Sequence, residues 1–214
     1  MPDFIFIIII LIFSIVIHEV SHGYAANALG DPTARFAGRL TLNPLKHLDL
    51  TGSIIIPAIL ILTQAGFIFG WAKPVPYNPY NLRNQRWGEA IVGGAGPAVN
   101  FLIAIIFGLL IRFGIAFEFL SAPFIQIASI VVFVNIFLGF FNLIPFPPLD
   151  GSKVFASILP SKPAESYRKF MDISMKYGFA AIFGFLFLFI FIFGPIFARF
   201  ISFIFFLITG ARFF

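Results

Sequence analysis

Three ionisable side chains, His18, Glu19 and His22, sit together in the stretch SIVIHEVSHGYAANALG (residues 14–30), which otherwise reads as the end of a membrane helix. Residues four apart on a helix share a face about one turn apart. Both imidazoles can then bind one Zn²⁺, with Glu19 beside them as a candidate general base. A hydrolytic site of this kind takes three protein ligands and leaves the fourth position to water. Ionisable groups inside an apolar helix are costly and point to function. A satisfied pair of core histidines is therefore the weaker reading.

The third ligand must come from elsewhere in the chain. The remaining histidine is His47, and position 28, where metzincin spacing would put another, is Ala28. Most of the nine carboxylates lie at span ends or in loops near Lys or Arg. Asp150 differs, because it follows FFNLIPFPPLDG, an apolar run broken by three prolines. Such prolines free backbone groups at membrane depth, which is tolerated only around a cavity or a protein-lined site. Asp150 is the best carboxylate ligand, with His47 as the runner-up.

The elements that must position these residues are mostly membrane helices. The chain of 214 residues is 60% hydrophobic and 11% charged, with a mean hydropathy of +1.01. A soluble domain cannot hide that much apolar surface. The net charge of +5 comes from basic residues in short loops between apolar runs, a topology signal rather than a nucleic-acid footprint. No cysteine is present, which excludes disulfides and thiolate metal sites. The first run contains Asp3 and no early Lys or Arg, so it reads as a retained span rather than a signal peptide.

Apolar runs at about 4–28, 52–70, 89–113, 123–145, 178–194 and 196–211 predict an all-α polytopic membrane protein with five to six transmembrane helices. They form a single membrane-embedded domain over 1–214, with a metal core at about 4–159. Gly194-Pro195 divides the last two runs into a C-terminal helical hairpin at about 178–211. FAGRLTLNP (36–44) and the proline-rich GWAKPVPYNPYN (70–81) read as short membrane-associated β-strands, the second an edge strand or polyproline-like rail.

His18, His22 and Asp150 must meet at one membrane depth, which requires an odd number of crossings between span 1 and the 123–145 run. That follows if 52–70 is a re-entrant segment, and Pro57, Gly66 and Gly70 suit one. With the N-terminus outside, twelve of the fourteen Lys and Arg residues then fall on the cytoplasmic side, leaving Arg112 and Arg199 outside. The expectation is five spans plus one re-entrant loop, with zinc nearer the cytoplasmic face.

HEVSH in an apolar helix, GPAVN at 96–100 and NLIPFPPLDG at 142–151 together resemble the site-2 protease family of intramembrane zinc metalloproteases. GDPTARFAGRLTLNPLKHLD and FGWAKPVPYNP look like its compact prokaryotic branch without a PDZ domain. The resemblance implies one zinc held by His18, His22 and Asp150, Glu19 as catalytic base, and Asn142 as a substrate-binding residue. Gly96, Pro97 and Asn100 match a motif taken here as helix packing. His47 and Asp49 match a subgroup motif read as loop-anchoring hydrogen bonds.

The expected activity is hydrolysis of peptide bonds within or near transmembrane segments of other proteins, in a prokaryotic cell membrane that the chain crosses several times. The alternative is a metal or small-solute transporter, with midplane ligands and broken helices. Transporters usually show repeats between halves, and none is legible here. A structural adaptor would close its metal site with a fourth ligand.

Overall fold

The structure, a computed structural model, describes residues 4–64 and 70–213. The long helices are α1 (Phe4–Ala28), α4 (Gly88–Ala116) and α5 (Ala122–Asn142). Between α1 and α4 lie α2 (Thr33–Phe36) and α3 (Ile56–Leu62), the latter preceded by a π turn, Leu50–Ile55. After α5 come α6 (Asp150–Ile158), α7 (Ser161–Tyr177), α8 (Phe179–Leu188) and α9 (Gly194–Thr209).

Four helices are long and apolar enough to cross a membrane: Ile5–Ala28, Gly88–Ala116, Ala122–Asn142 and Ala180–Thr209. The fourth corrects the expected C-terminal hairpin, because α8 and α9 join into one helix through a π turn at Phe189–Phe193. Pro195 brings no backbone N–H and stands at the start of α9. A locally widened turn accommodates such a residue without ending the helix. Among the described residues four helices, rather than the expected five to six, are long and apolar enough to span. The 52–70 run is not one of them: its helix stops at Leu62, and Gln64 already has a positive φ of 51°. Residues 65–69 lie outside the described residues, so Gly66 cannot be placed.

Among the described residues there is no β-strand. The expected strand at 36–44 is instead the end of α2, a turn, and the start of a 3-10 turn at Pro44–Lys46. The segment 70–78 runs without turn or bend but pairs with no strand. Pro74 and Pro76 bring no N–H, and the N–H groups of Val75 and Asn78 go to carboxylates instead.

One buried apolar cluster joins α4, α5 and α9 through Ala104, Ile111, Ala128, Val132, Ile136, Ile201 and Phe205. Gly108 of α4 sits against Ile208 of α9, so close that a Cβ there would stand 2.3 Å from the Ile208 side chain. Small residues at such crossings let helix backbones approach, the usual means of association where lipid supplies no hydrophobic force. α1 packs on α4 and α5 from the other side. Large apolar side chains that point away from these contacts, such as Ile5, Leu102, Ile105 and Phe187, are exposed and suit hydrocarbon.

Candidate metal centre

α1 carries His18 and His22 one turn apart, both buried, with ring centroids 4.7 Å apart in an edge-to-face arrangement. Asp150 reaches them from a different direction. After α5 the chain folds back through residues 143–149, with Phe146 N–H donating to Ile144 O and Leu149 N–H to Phe146 O. The Tyr167 hydroxyl donates to Pro145 O at 2.9 Å, and Phe146 stacks on Phe185 at 4.2 Å, so the loop is held to α7 and α8. Asp150 then opens α6, where a carboxylate also suits the positive end of the helix dipole.

The ligand atoms converge. Asp150 Oδ2 lies 3.0 Å from His18 Nε2 and 3.1 Å from His22 Nε2. Among the described residues this trio is the group of His, Asp and Glu side chains able to hold a metal ion. α4 passes directly over it at Gly96, where a Cβ would stand 2.5 Å from His22 Nε2 and 2.6 Å from His18 Nε2. Only a glycine leaves that space open.

The other ring nitrogens are committed. His22 Nδ1 lies 2.6 Å from Val92 O, a carbonyl that can only accept, so Nδ1 carries the proton and Nε2 keeps its lone pair. His18 Nδ1 is paired with Asn100 Oδ1 at 2.5 Å. Behind it Asn100 Nδ2 donates to Asn135 Oδ1 at 2.7 Å, and both asparagines are fully buried. The trio fits a zinc ion: two imidazole nitrogens and one carboxylate oxygen, with the imidazoles held from behind as metal-bound histidines are.

The second carboxylate oxygen of Asp150, Oδ1, faces Lys153 Nζ at 3.5 Å, which leaves Oδ2 to the histidines. Burial pushes the Asp150 carboxyl up, but the neighbouring His18 and His22 side chains and the Lys153 charge outweigh it and hold it well below the usual range. Burial likewise favours the neutral Lys153 amine, and the Asp150 carboxylate outweighs it and keeps the ammonium charged. Lys153 Nζ also lies over the Tyr77 ring, 5.4 Å from its centroid.

Tyr77 belongs to the extended segment 70–78, which crosses α1 beside the trio. Glu19 is half-buried, and its Oε2 accepts from Val75 N–H at 3.1 Å. The segment is tied at several other points. Lys73 N–H donates to His47 O at 2.8 Å, and Arg39 Nη2 donates to Lys73 O at 2.7 Å. Asp31, fully buried, accepts from Asn78 N–H, Asn81 Nδ2 and the Thr33 hydroxyl. Burial raises the Asp31 carboxyl, and these donors, Thr33 first, outweigh it and hold it below its ordinary value.

Two expectations change, for His47 and for Asn100. His47, the runner-up ligand, is not part of the trio: its Nε2 donates to Thr41 O at 2.8 Å within its own loop. Asp49 likewise accepts from Gly52 N–H and caps the π turn, so both residues anchor a loop. Asn142, at the end of α5, donates to Leu138 O at 3.0 Å through its Nδ2, a bond that leaves its expected role untouched. Asn100, taken from sequence as a packing residue, instead supports His18. The available signal was an amide side chain in an apolar helix, which needs a partner there, and Asn135 carried the same signal.

Comparison with known proteins places these residues in context. The profile described as Peptidase family M50 matches residues 6–123 and 117–185. YwhC of Bacillus subtilis (strain 168) is 38% identical over 179 residues, covering 81% of this chain and 76% of that protein. Rip2 of Mycolicibacterium smegmatis is 31% identical over 159 residues, 69% of this chain and 55% of its own length. MJ0392 of Methanocaldococcus jannaschii is 28% identical over 154 residues, 72% of this chain and 34% of its own. All three carry "zinc metalloprotease" in their names. No solved structure matches the chain.

Proposed function

The chain belongs to peptidase family M50, and from that premise we propose that it is an intramembrane zinc metalloprotease cutting other proteins within or near their membrane spans. His18, His22 and Asp150 hold one zinc ion, and Glu19 is the general base. The observation that carries this is the convergence of two unprotonated Nε2 atoms and Asp150 Oδ2 beneath Gly96, next to a half-buried glutamate.

A zinc ion at this site supplies Lewis acidity, polarising a carbonyl and making water acidic near neutral pH. The protein's own groups do the rest. Glu19 takes the water's proton and later returns it to the leaving amine. Oε2 of Glu19 is held by Val75 N–H, which leaves Oε1 for that exchange. Asp150 and the two histidines would hold the ion, and α4 crosses over that position at Gly96.

A helical substrate hides its carbonyls in its own hydrogen bonds, so it must unwind before cleavage. Segment 70–78 offers a main-chain edge for the unwound part. Residues 75 and 77 of an extended chain point their backbone groups to one side, and among the described residues the Val75 C=O and Tyr77 N–H have no hydrogen-bond partner. The opposite side has Pro74 and Pro76 and no donor from either. The base and the free edge therefore face the same way. The comparisons give no support to a transporter.

The chain is read as one multi-pass unit of a prokaryotic cell membrane, in contact with the lipid bilayer and with transmembrane substrates. With four spans and the N-terminus outside, residues 30–87 and 143–178 fall on the cytoplasmic side. That side then carries eleven of the fourteen basic residues, and Arg212 joins Arg112 and Arg199 outside. The apolar stretch Leu50–Leu62 dips into the same face. A cysteine in place of exposed Lys73 should react with an impermeant thiol reagent only from the cytoplasmic side; labelling from outside sinks this topology.

The activity is tested with Glu19→Gln. Cleavage of a transmembrane substrate should fall by about 10²–10⁴-fold with zinc still bound, in line with loss of a general base. Undiminished cleavage would remove Glu19 from the mechanism.

A further inference from the structure

The buried asparagines behind His18 carry a direction. Asn135 Nδ2 donates to Val131 O at 2.9 Å and to Ser14 Oγ at 2.9 Å. The hydroxyl of Ser14 could either give or accept, but the Val131 carbonyl can only accept. It therefore fixes which end of the Asn135 amide faces it. Oδ1 of Asn135 is then turned towards Asn100 and must receive Asn100 Nδ2. Asn100 Oδ1 is left facing His18, where it can only accept, so the His18 proton is placed on Nδ1. Asn100 and Asn135 have no exposed surface and Ser14 and His18 are 5% exposed, so no solvent competes along the chain.

We propose that Asn135 is a positioning residue for the metal: through Asn100 it determines which ring nitrogen of His18 is left free to bind zinc. The inference rests on the zinc reading above. It assigns a role to a residue on α5, a helix that contributes no side chain to the trio. His22 reaches the same state by a shorter route, from Val92 O directly, and is therefore an internal control.

The logic follows from the amide's two unlike ends. With Asn135 removed, Asn100 can rotate its NH₂ towards His18, which then moves its proton to Nε2 and blocks that ligand atom. Partners behind metal-bound histidines are worth roughly 10–100-fold in metal affinity. A loss of that size is expected here from a substitution two residues removed from the ligand.

The experiment uses the full chain in detergent or lipid, with Glu19→Gln present to prevent self-cleavage. Zinc affinity is measured by competition with a chelator, and the zinc-loaded protein is examined for downfield, solvent-protected histidine N–H protons. Asn135→Leu should weaken zinc about 10–100-fold. It should also shift or remove the His18 Nδ1–H signal while leaving that of His22 in place. Asn135→Asp should restore both, because a neutral carboxyl buried there can present its C=O to Asn100 and its O–H to Val131 O. Val132→Ala, an apolar deletion at a neighbouring buried site, should lower stability without moving either readout.

Asn135→Ala makes the same test with a smaller change in packing, should the leucine variant fail to fold. The proposal is overturned if both Asn135 variants bind zinc as the parent does, or lose no more than Val132→Ala with the His18 signal unmoved. A parent that binds no zinc overturns the metal reading itself, a different and distinguishable outcome.

Discussion

The core helices α1, α4 and α5 and the final helix α8–α9 are alike in hydropathy and opposite in construction. In the core helices the most apolar windows are 28%, 28% and 39% buried, whereas in the last helix the figure is 6%. The core helices bury Ser14, His18, His22, Asn100 and Asn135 against one another. The last helix buries Thr209, whose hydroxyl is satisfied by Phe205 O and Ala211 O of its own end. Polar groups at membrane depth must find one partner in one direction, so they admit few arrangements. Outward phenylalanines of α8–α9, such as Phe187 and Phe191 at 4.6 Å, meet lipid or one another and tolerate exchange. Similar apolar composition thus produces a specified core and a permissive flank.

The sharpest way to break this contrast is Gly96→Ala. The added methyl would stand within 2.6 Å of both histidine rings, so α4 must move away from α1. Overpacking of this kind costs about 1–3 kcal/mol. Because the clash falls on the ligand atoms, zinc content and cleavage should both be lost, which metal analysis of the purified variant checks.

Asp31→Asn should act more mildly and on a different readout. An NH₂ in place of Oδ2 leaves the Asn78 N–H without its acceptor, which costs about 1–3 kcal/mol. It also loosens the end of segment 70–78, raising KM while leaving zinc content intact. The pH dependence has a definite sign. The folded pKa of Asp31 lies below its unfolded value, so its contribution is complete above about pH 4 and fades as pH falls through the lowered folded value. The stability gap between parent and variant should therefore narrow on acidification, as read by unfolding at pH 7 and below 4.

The smallest effect belongs to the flank. Phe187, 62% exposed on the last helix, should accept leucine with a change within about 0.5 kcal/mol and no change in cleavage rate. A large loss there would mean that the last helix is as tightly specified as the core.

The legibility of the sequence divides along the same line. His18, Glu19 and His22 were readable because a four-residue spacing on a helix is local geometry. Asp150 was readable because prolines at membrane depth demand a reason. The single C-terminal helix was not, because Gly194-Pro195 looks like a break until a π turn in the preceding residues absorbs the proline. The missing strands were not either: an extended segment becomes a strand only by pairing, and here the donors of Val75 and Asn78 are taken by Glu19 and Asp31. Asn100 and Asn135 announced a need for partners, but which groups meet depends on the register between α1, α4 and α5, and that is a property of packing.

The hydrogen bond from Val75 to Glu19 has a consequence for mutational drift. Its donor is main chain, so any residue whose side chain fits beside Gly23 leaves the bond untouched. Proline alone deletes it. In a stretch already carrying imino acids at 74, 76 and 79, position 75 is where one more would cut the tie between the segment and Glu19. That tie is written in the backbone, so the identity of the side chain at position 75 does not by itself reveal whether the contact is kept.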